Sequence, residues 1–146
     1  MESKVKCWKV RDKGRLLLAM MELFEGDAHV SFEGNLQSLA LSSYPSASFE
    51  PNDALKRNTL WPKQDFVIVP LESSSSKKIY AALGAAVPRT VLHIQIEKSG
   101  VLQFAAYDNF HPECIFFGKA IGAELLESLV SKGVLKTCRR DGRRYR

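Results

Sequence analysis

What this chain lacks bounds it first. No apolar run exceeds the six residues Leu16–Met21, far short of the roughly 20 that a membrane-spanning helix needs. No membrane span is therefore expected. Residues 1–10 alternate lysine with apolar side chains and hold no apolar leader core, so no secretory signal is expected either. Cysteine is scarce: Cys7, Cys114 and Cys138 are odd in number, far apart and without a CxxC pair. That pattern speaks against a disulfide framework and predicts a reducing, cytoplasmic setting. Nucleotide-binding and hydrolytic signatures are missing too. There is no G-x-S-x-G, no Walker loop, no G-x-G-x-x-G and no H-E-x-x-H. The sequence leans away from an enzyme and implies no cofactor, although active sites can be assembled from scattered residues without any motif.

The composition is that of one globular domain, 146 residues long and 45% hydrophobic, long enough to bury a real core. The charge is uneven. Residues 1–14 carry five Lys/Arg and two acids, and residues 137–146 carry five Arg and one Asp. The middle, 15–136, carries eleven Lys/Arg and thirteen acids. The net charge of +5 thus belongs to two basic ends on a mildly acidic body. The expected organisation is a single α+β domain over residues 1–136 and a basic tail over 137–146.

The pattern along the chain predicts an α+β fold: a mostly antiparallel sheet of five to six strands with two to three helices packed on one face. Residues 5–10 read as an edge strand whose lysines discourage aggregation. Asp12 is an N-cap, Arg15 to Phe24 a buried helix, and Gly26 its stop. Ala28 to Glu33 reads as a strand, Gly34-Asn35 as a turn, and Leu36 to Leu41 as the return strand of a hairpin. Residues 42–64 form a long polar loop, a length that compact domains keep for function or leave disordered. Asp65 to Val69 reads as a central strand, limited by Pro70. A helix follows over 77–86, capped within Ser73–Ser76 and ended before Pro88.

Thr90 to Phe110 is the clearest hairpin. A three-residue loop, Lys98-Ser99-Gly100, pairs Ile96 with Leu102 and Ile94 with Phe104, apolar opposite apolar. It is preferred over a two-residue loop, Ser99-Gly100. Cys114 to Phe117 suits a short strand. Lys119 to Lys132 suits an amphipathic helix with the stripe Ile121, Leu125, Leu126, Leu129 and Val130.

Four groups of residues are candidates for function. In the long loop, Trp61 with Lys56, Arg57 and Lys63 combines the side chains favoured as interface anchors, against the plainer reading of a Trp that pins the loop to the core. On one sheet face His93 and Tyr107, with His111 nearby, form a candidate binding surface. The plainer reading there is a solvated strand face, or a histidine satisfied under a loop. The run from Asp108 to Cys114 places His, carboxylate and thiol together, as zinc binding or proton transfer requires. Its His111-Pro112-Glu113 matches the H-x-E of zinc deaminases, but the P-C-x-x-C partner is missing, so that chemistry is rejected. No metal site is assigned, and a turn held by Asp108 or Asn109 is the preferred account. In the tail, Arg139, Arg140, Arg143, Arg144 and Tyr145 suit phosphates and base stacking.

Size, pattern and missing signatures are compatible with small inhibitor-type or immunity-type proteins. The expected function is therefore non-catalytic binding of another protein. The alternatives are a nucleic-acid-associated protein using its basic ends, and a small enzyme or metal site around the 108–114 turn.

Overall fold

The computed structural model describes residues 6–139. Strand β1 (Lys6–Val10) leads through Arg11 to Asp12, whose extended backbone and side chain cap α1 (Lys13–Phe24). The Asp12 carboxylate accepts from the Arg15 N–H at 3.0 Å, the expected cap. Leu16, Leu17, Met20, Met21 and Phe24 are all buried, so the apolar face of α1 lies in the core. At the helix C-terminus the Lys98 ammonium donates to the carbonyls of Phe24, Glu25 and Gly26 at 3.3, 3.2 and 2.6 Å. A cation there satisfies carbonyls that the helix leaves unpaired.

Strand β2 (Ala28–Gly34), β3 (Asp65–Leu71), β4 (Val91–Lys98), β5 (Val101–Ala106) and β6 (Ile115–Phe117) form one antiparallel sheet in the order β3-β2-β4-β5-β6. Between them lie α2 (Ser75–Ala82) and, after β6, α3 (Ala123–Ser131). Val30, Phe32, Ile94, Ile96, Phe104 and Val69 bury one sheet face against Leu16, Met20 and Ile79 of the helices. β7 (Leu135–Arg139) returns to pair with β1 in a separate two-stranded ribbon. The α+β class is as the sequence predicts. Among the described residues no helix is long and apolar enough to cross a membrane.

Several expectations are corrected. Leu36 to Leu41 forms turns, not a return strand. The Leu36 N–H donates to the Asp65 carboxylate at 3.0 Å and ties the segment down, while β2 takes β3 and β4 as its neighbours. β3 is an edge strand, not a central one. Its apolar run has another cause: the long loop covers it. Ser48 and Ile68 exchange two backbone hydrogen bonds of 2.9 and 2.7 Å, and Leu55 packs with Phe66 and Ile68 in a second small core. Pro70 is accommodated because an edge ladder can lose a donor.

The hairpin follows neither simple register. Lys98 faces Val101 and Glu97 faces Leu102, so the turn is the two-residue Ser99-Gly100, with φ of 55° and 83°. Positive φ at both positions suits the twist of the strands. The register then slips between Ile96 and Glu97, leaving Gln103 as the extra residue. Ile96 meets Phe104 and Ile94 meets Ala106. A bulge thus restores apolar against apolar after a turn that would otherwise misalign them.

The cysteine expectation is overturned. β1 and β7 set Cys7 directly opposite Cys138, at a Cα separation of 5.3 Å, and the two are disulfide-bonded. An odd count forbids only complete pairing, and Cys114 is the free thiol that remains. The expectation of a cytoplasmic setting loses the observation it rested on. Thr137, Cys138 and Arg139, taken as the start of the tail, belong to β7. Arg140, Arg143, Arg144 and Tyr145 lie outside the described residues.

Candidate partner-binding surface

The loop between β2 and β3 is held at every stage except its apex. Asn52 folds its own turn: its side-chain oxygen accepts from the N–H groups of Ala54 and Leu55 at 3.0 and 2.8 Å. Leu55 is fully buried. The next residues cross the second face of the sheet, where β2 and β4 present Ser31, Glu33, His93 and Gln95. Gln95 is buried, and its amide donates to Ser31 Oγ at 3.0 Å and to the Lys56 carbonyl at 2.9 Å. Glu33 is also buried, and its carboxylate accepts from the N–H groups of Asn58 and Thr59 at 2.7 and 3.1 Å. A buried carboxylate needs such donors. Thr59 Oγ1 lies 2.8 Å from His93 Nε2. His93 Nδ1 accepts from the Asp108 N–H at 3.0 Å, so the proton sits on Nε2 and points at Thr59.

The apex is closed at its base. Arg57 donates to the Gln64 carbonyl at 2.7 Å, and its guanidinium sits 5.2 Å over the Phe66 ring. What remains outside is Leu60 and Trp61, 88% and 86% exposed. The plainer reading, a Trp pinning the loop to the core, is therefore corrected: Leu55 is the pin. Beside the apex a cavity of about 510 Å³ is lined by Leu41, Phe49, Arg57, Lys63, Asp65 and Phe66. A shallower depression on its other side joins Lys56, Asn58, Gln95 and Tyr107.

The structure thus unites candidates that are distant in sequence. Lys56 and Arg57 lie over the sheet face that carries His93 and Tyr107, whose rings are 5.8 Å apart. The loop roofs much of that face, and His93, half-buried, is satisfied under it. Tyr107 donates to Gln95 Oε1 at 3.3 Å, and burial pushes its hydroxyl pKa upward. Glu33, which holds the loop down, was not singled out from the sequence. The available signal was an acid on the polar side of an alternating strand, in line with His29 and Ser31.

The 108–114 turn is held by bonds within itself and to neighbouring segments. Asp108, Asn109 and Phe110 are consecutive left-handed residues, with φ of 55°, 55° and 62°, a costly arrangement that its surroundings enforce. Asn109 is bound on three sides, by the Leu92 carbonyl at 2.7 Å, the Arg89 carbonyl at 3.1 Å and the Lys13 ammonium at 2.6 Å. Phe110 is buried as a plug. His111 Nδ1 accepts from the Glu113 N–H at 3.1 Å. The Cys114 thiol is pushed above its usual range by burial, then by the charges of Asp108 and Glu113, the reverse of a nucleophile's environment. Among the described residues no three His, Cys, Asp or Glu side chains converge as metal ligands do.

Comparison with protein-family models, with curated proteins and with solved structures gave no match.

Proposed function

We propose that this protein is a non-catalytic binding domain that acts by inserting the Leu60-Trp61 apex into a partner protein. One observation carries the reading: two large apolar side chains stand almost fully exposed on a loop whose flanks are fixed. A flexible loop would lose that arrangement's advantage, because ordering it on binding costs affinity. Here Glu33, His93, Gln95 and Arg57 have fixed the loop beforehand, as in inhibitors that present a rigid segment. Trp is one of the three residue types, with Tyr and Arg, enriched among interface hot spots. Lys56 and Lys63 flank the apex and suit an acidic rim on the partner. The Cys7–Cys138 bond favours a setting in which those thiols stay oxidised, not the cytoplasm.

The test is affinity purification from the native source with wild type and Trp61→Ala side by side, with dissociation constants for any partner found. Truncating a central anchor costs 2 kcal/mol or more, about 30-fold in Kd. If both forms retain the same partners with equal affinity, the apex is not the binding element.

A further inference from the structure

We propose, resting on the reading of the apex as the binding element, that its partner is a second copy of this chain, each copy seating Leu60 and Trp61 in the other's cavity across a two-fold axis. A two-fold interface needs one patch that carries both halves of the contact. The long loop supplies such a patch. Its apex is the projecting half, with Leu60 and Trp61 88% and 86% exposed. Beside it lies the receiving half, the cavity of about 510 Å³, whose apolar lining includes Leu36, Leu41, Phe49 and Phe66. Pockets of roughly 300–1,000 Å³ enclose drug-sized molecules, so the space is ample for an indole ring. Lys63 and Gln64, which follow the apex directly, line the same cavity. Projection and cavity are therefore neighbours, and one two-fold axis between them seats both apices at once. The apex does not enter its own cavity, because Glu33 holds its leading side and the Arg57–Gln64 bond closes its base.

The charges of the loop are sorted in the same sense. Residues 42–55 carry two acids and no cation, and residues 56–64 carry three cations and no acid. Arg57 is committed to the clasp, which leaves Lys56 and Lys63 beside the apex, both exposed. Glu50 and Asp65 line the cavity and are exposed as well. An apex that enters a second copy brings its Lys63 to that copy's Glu50, and symmetry repeats the pair. An unrelated partner would have to supply an acidic edge that this chain already has.

An aromatic side chain hides about 150–250 Å² when fully buried. The two exposed Trp61 rings thus bring roughly 260–430 Å² of the ~1,200 Å² that the smallest specific interfaces bury. Leu60, the lysine stems and Phe49, itself 49% exposed, add to that area. Such a dimer belongs with the weak, concentration-dependent interfaces.

The test is sedimentation velocity on the full-length oxidised chain over a concentration series. The mean mass of wild type should climb from 16.4 kDa toward twice that value. One anchor is worth about 30-fold and each dimer holds two, so Trp61→Ala should raise the dissociation constant roughly 1,000-fold. Lys63→Glu and Glu50→Lys should each dimerise more weakly than wild type, since either sets like charges together. Mixed in equal amounts, the two should associate more tightly than either alone, because the mixed dimer has opposite charges at both sites. Circular dichroism should show one fold throughout, as all three positions are exposed. A wild type that stays monomeric at every concentration would overturn the proposal, and Trp61-dependent capture of a different protein would then leave the apex reading standing. A dimer indifferent to Trp61→Ala, or a mixture no tighter than its components, would overturn it too.

Discussion

Leu55 and Trp61 are six residues apart in one loop and have opposite fates, one fully buried and the other 86% exposed. Composition marks both as apolar and cannot say which is the anchor and which the probe. The difference arises from neighbours elsewhere in the chain: Phe66 and Ile68 on β3 leave a hole that Leu55 fills, while Glu33 fixes Asn58 and Thr59 so that Leu60 and Trp61 are thrown clear. Stability measurements separate them. Leu55→Ala should cost about 2–5 kcal/mol, a transfer term plus a cavity. Trp61→Ala should stay within about 0.5 kcal/mol of wild type in urea unfolding. Equal destabilisation by the two changes would mean that Trp61 is packed after all. Trp61, Lys56, Arg57 and Lys63 were legible as candidates from residue type alone. That Arg57 clasps Gln64 and Phe66 was not, because it depends on where the loop closes.

At the scale of elements, local signals served best where chain neighbours decide the outcome. Asp12 capping α1, and the buried stripe of that helix, follow from spacing. The β4–β5 register did not, because two preferences compete there and the chain satisfies both: Ser99-Gly100 takes the turn its φ angles favour, and the bulge at Gln103 then realigns the apolar residues. The β1–β7 ribbon was invisible for a simpler reason, its partners being 131 residues apart. That separation gives the disulfide its weight. Closing so long a loop in the unfolded chain is worth about 5 kcal/mol in the chain-entropy model. Cys7→Ser/Cys138→Ser should lose stability of that order in urea unfolding. More salt should recover part of the loss, as the opposed Lys9 and Lys136 are screened. A double variant with the wild-type midpoint would show that non-covalent contacts alone hold the ribbon.

The whole molecule has two edges with different characters. The long loop covers the β3 edge and carries Leu60 and Trp61. The ribbon sits beside β6, where Trp8 meets Phe117. The fold class could be read from the alternation of strand and helix patterns, whereas the arrangement of the edges could not, because each is finished by a segment far away in sequence. Sites with no shared contacts act independently to within about 0.5 kcal/mol. Cys7→Ser/Cys138→Ser should therefore leave protein capture through the Leu60-Trp61 apex unchanged. Affinity measurements on both chains check this, and a loss of capture without the disulfide would tie the apex to the ribbon.

The ribbon also sets an order of events during synthesis. Of the described strands β1 is made first and its partner β7 last. At typical elongation rates of about 5–20 residues per second, roughly ten seconds separate Cys7 from Cys138. Cys114 is made 24 residues before Cys138, so for the last part of that interval it is available to Cys7 ahead of the native partner. The ribbon is therefore sealed only after every strand of the five-stranded sheet has been made, by the bond between Cys7 and Cys138.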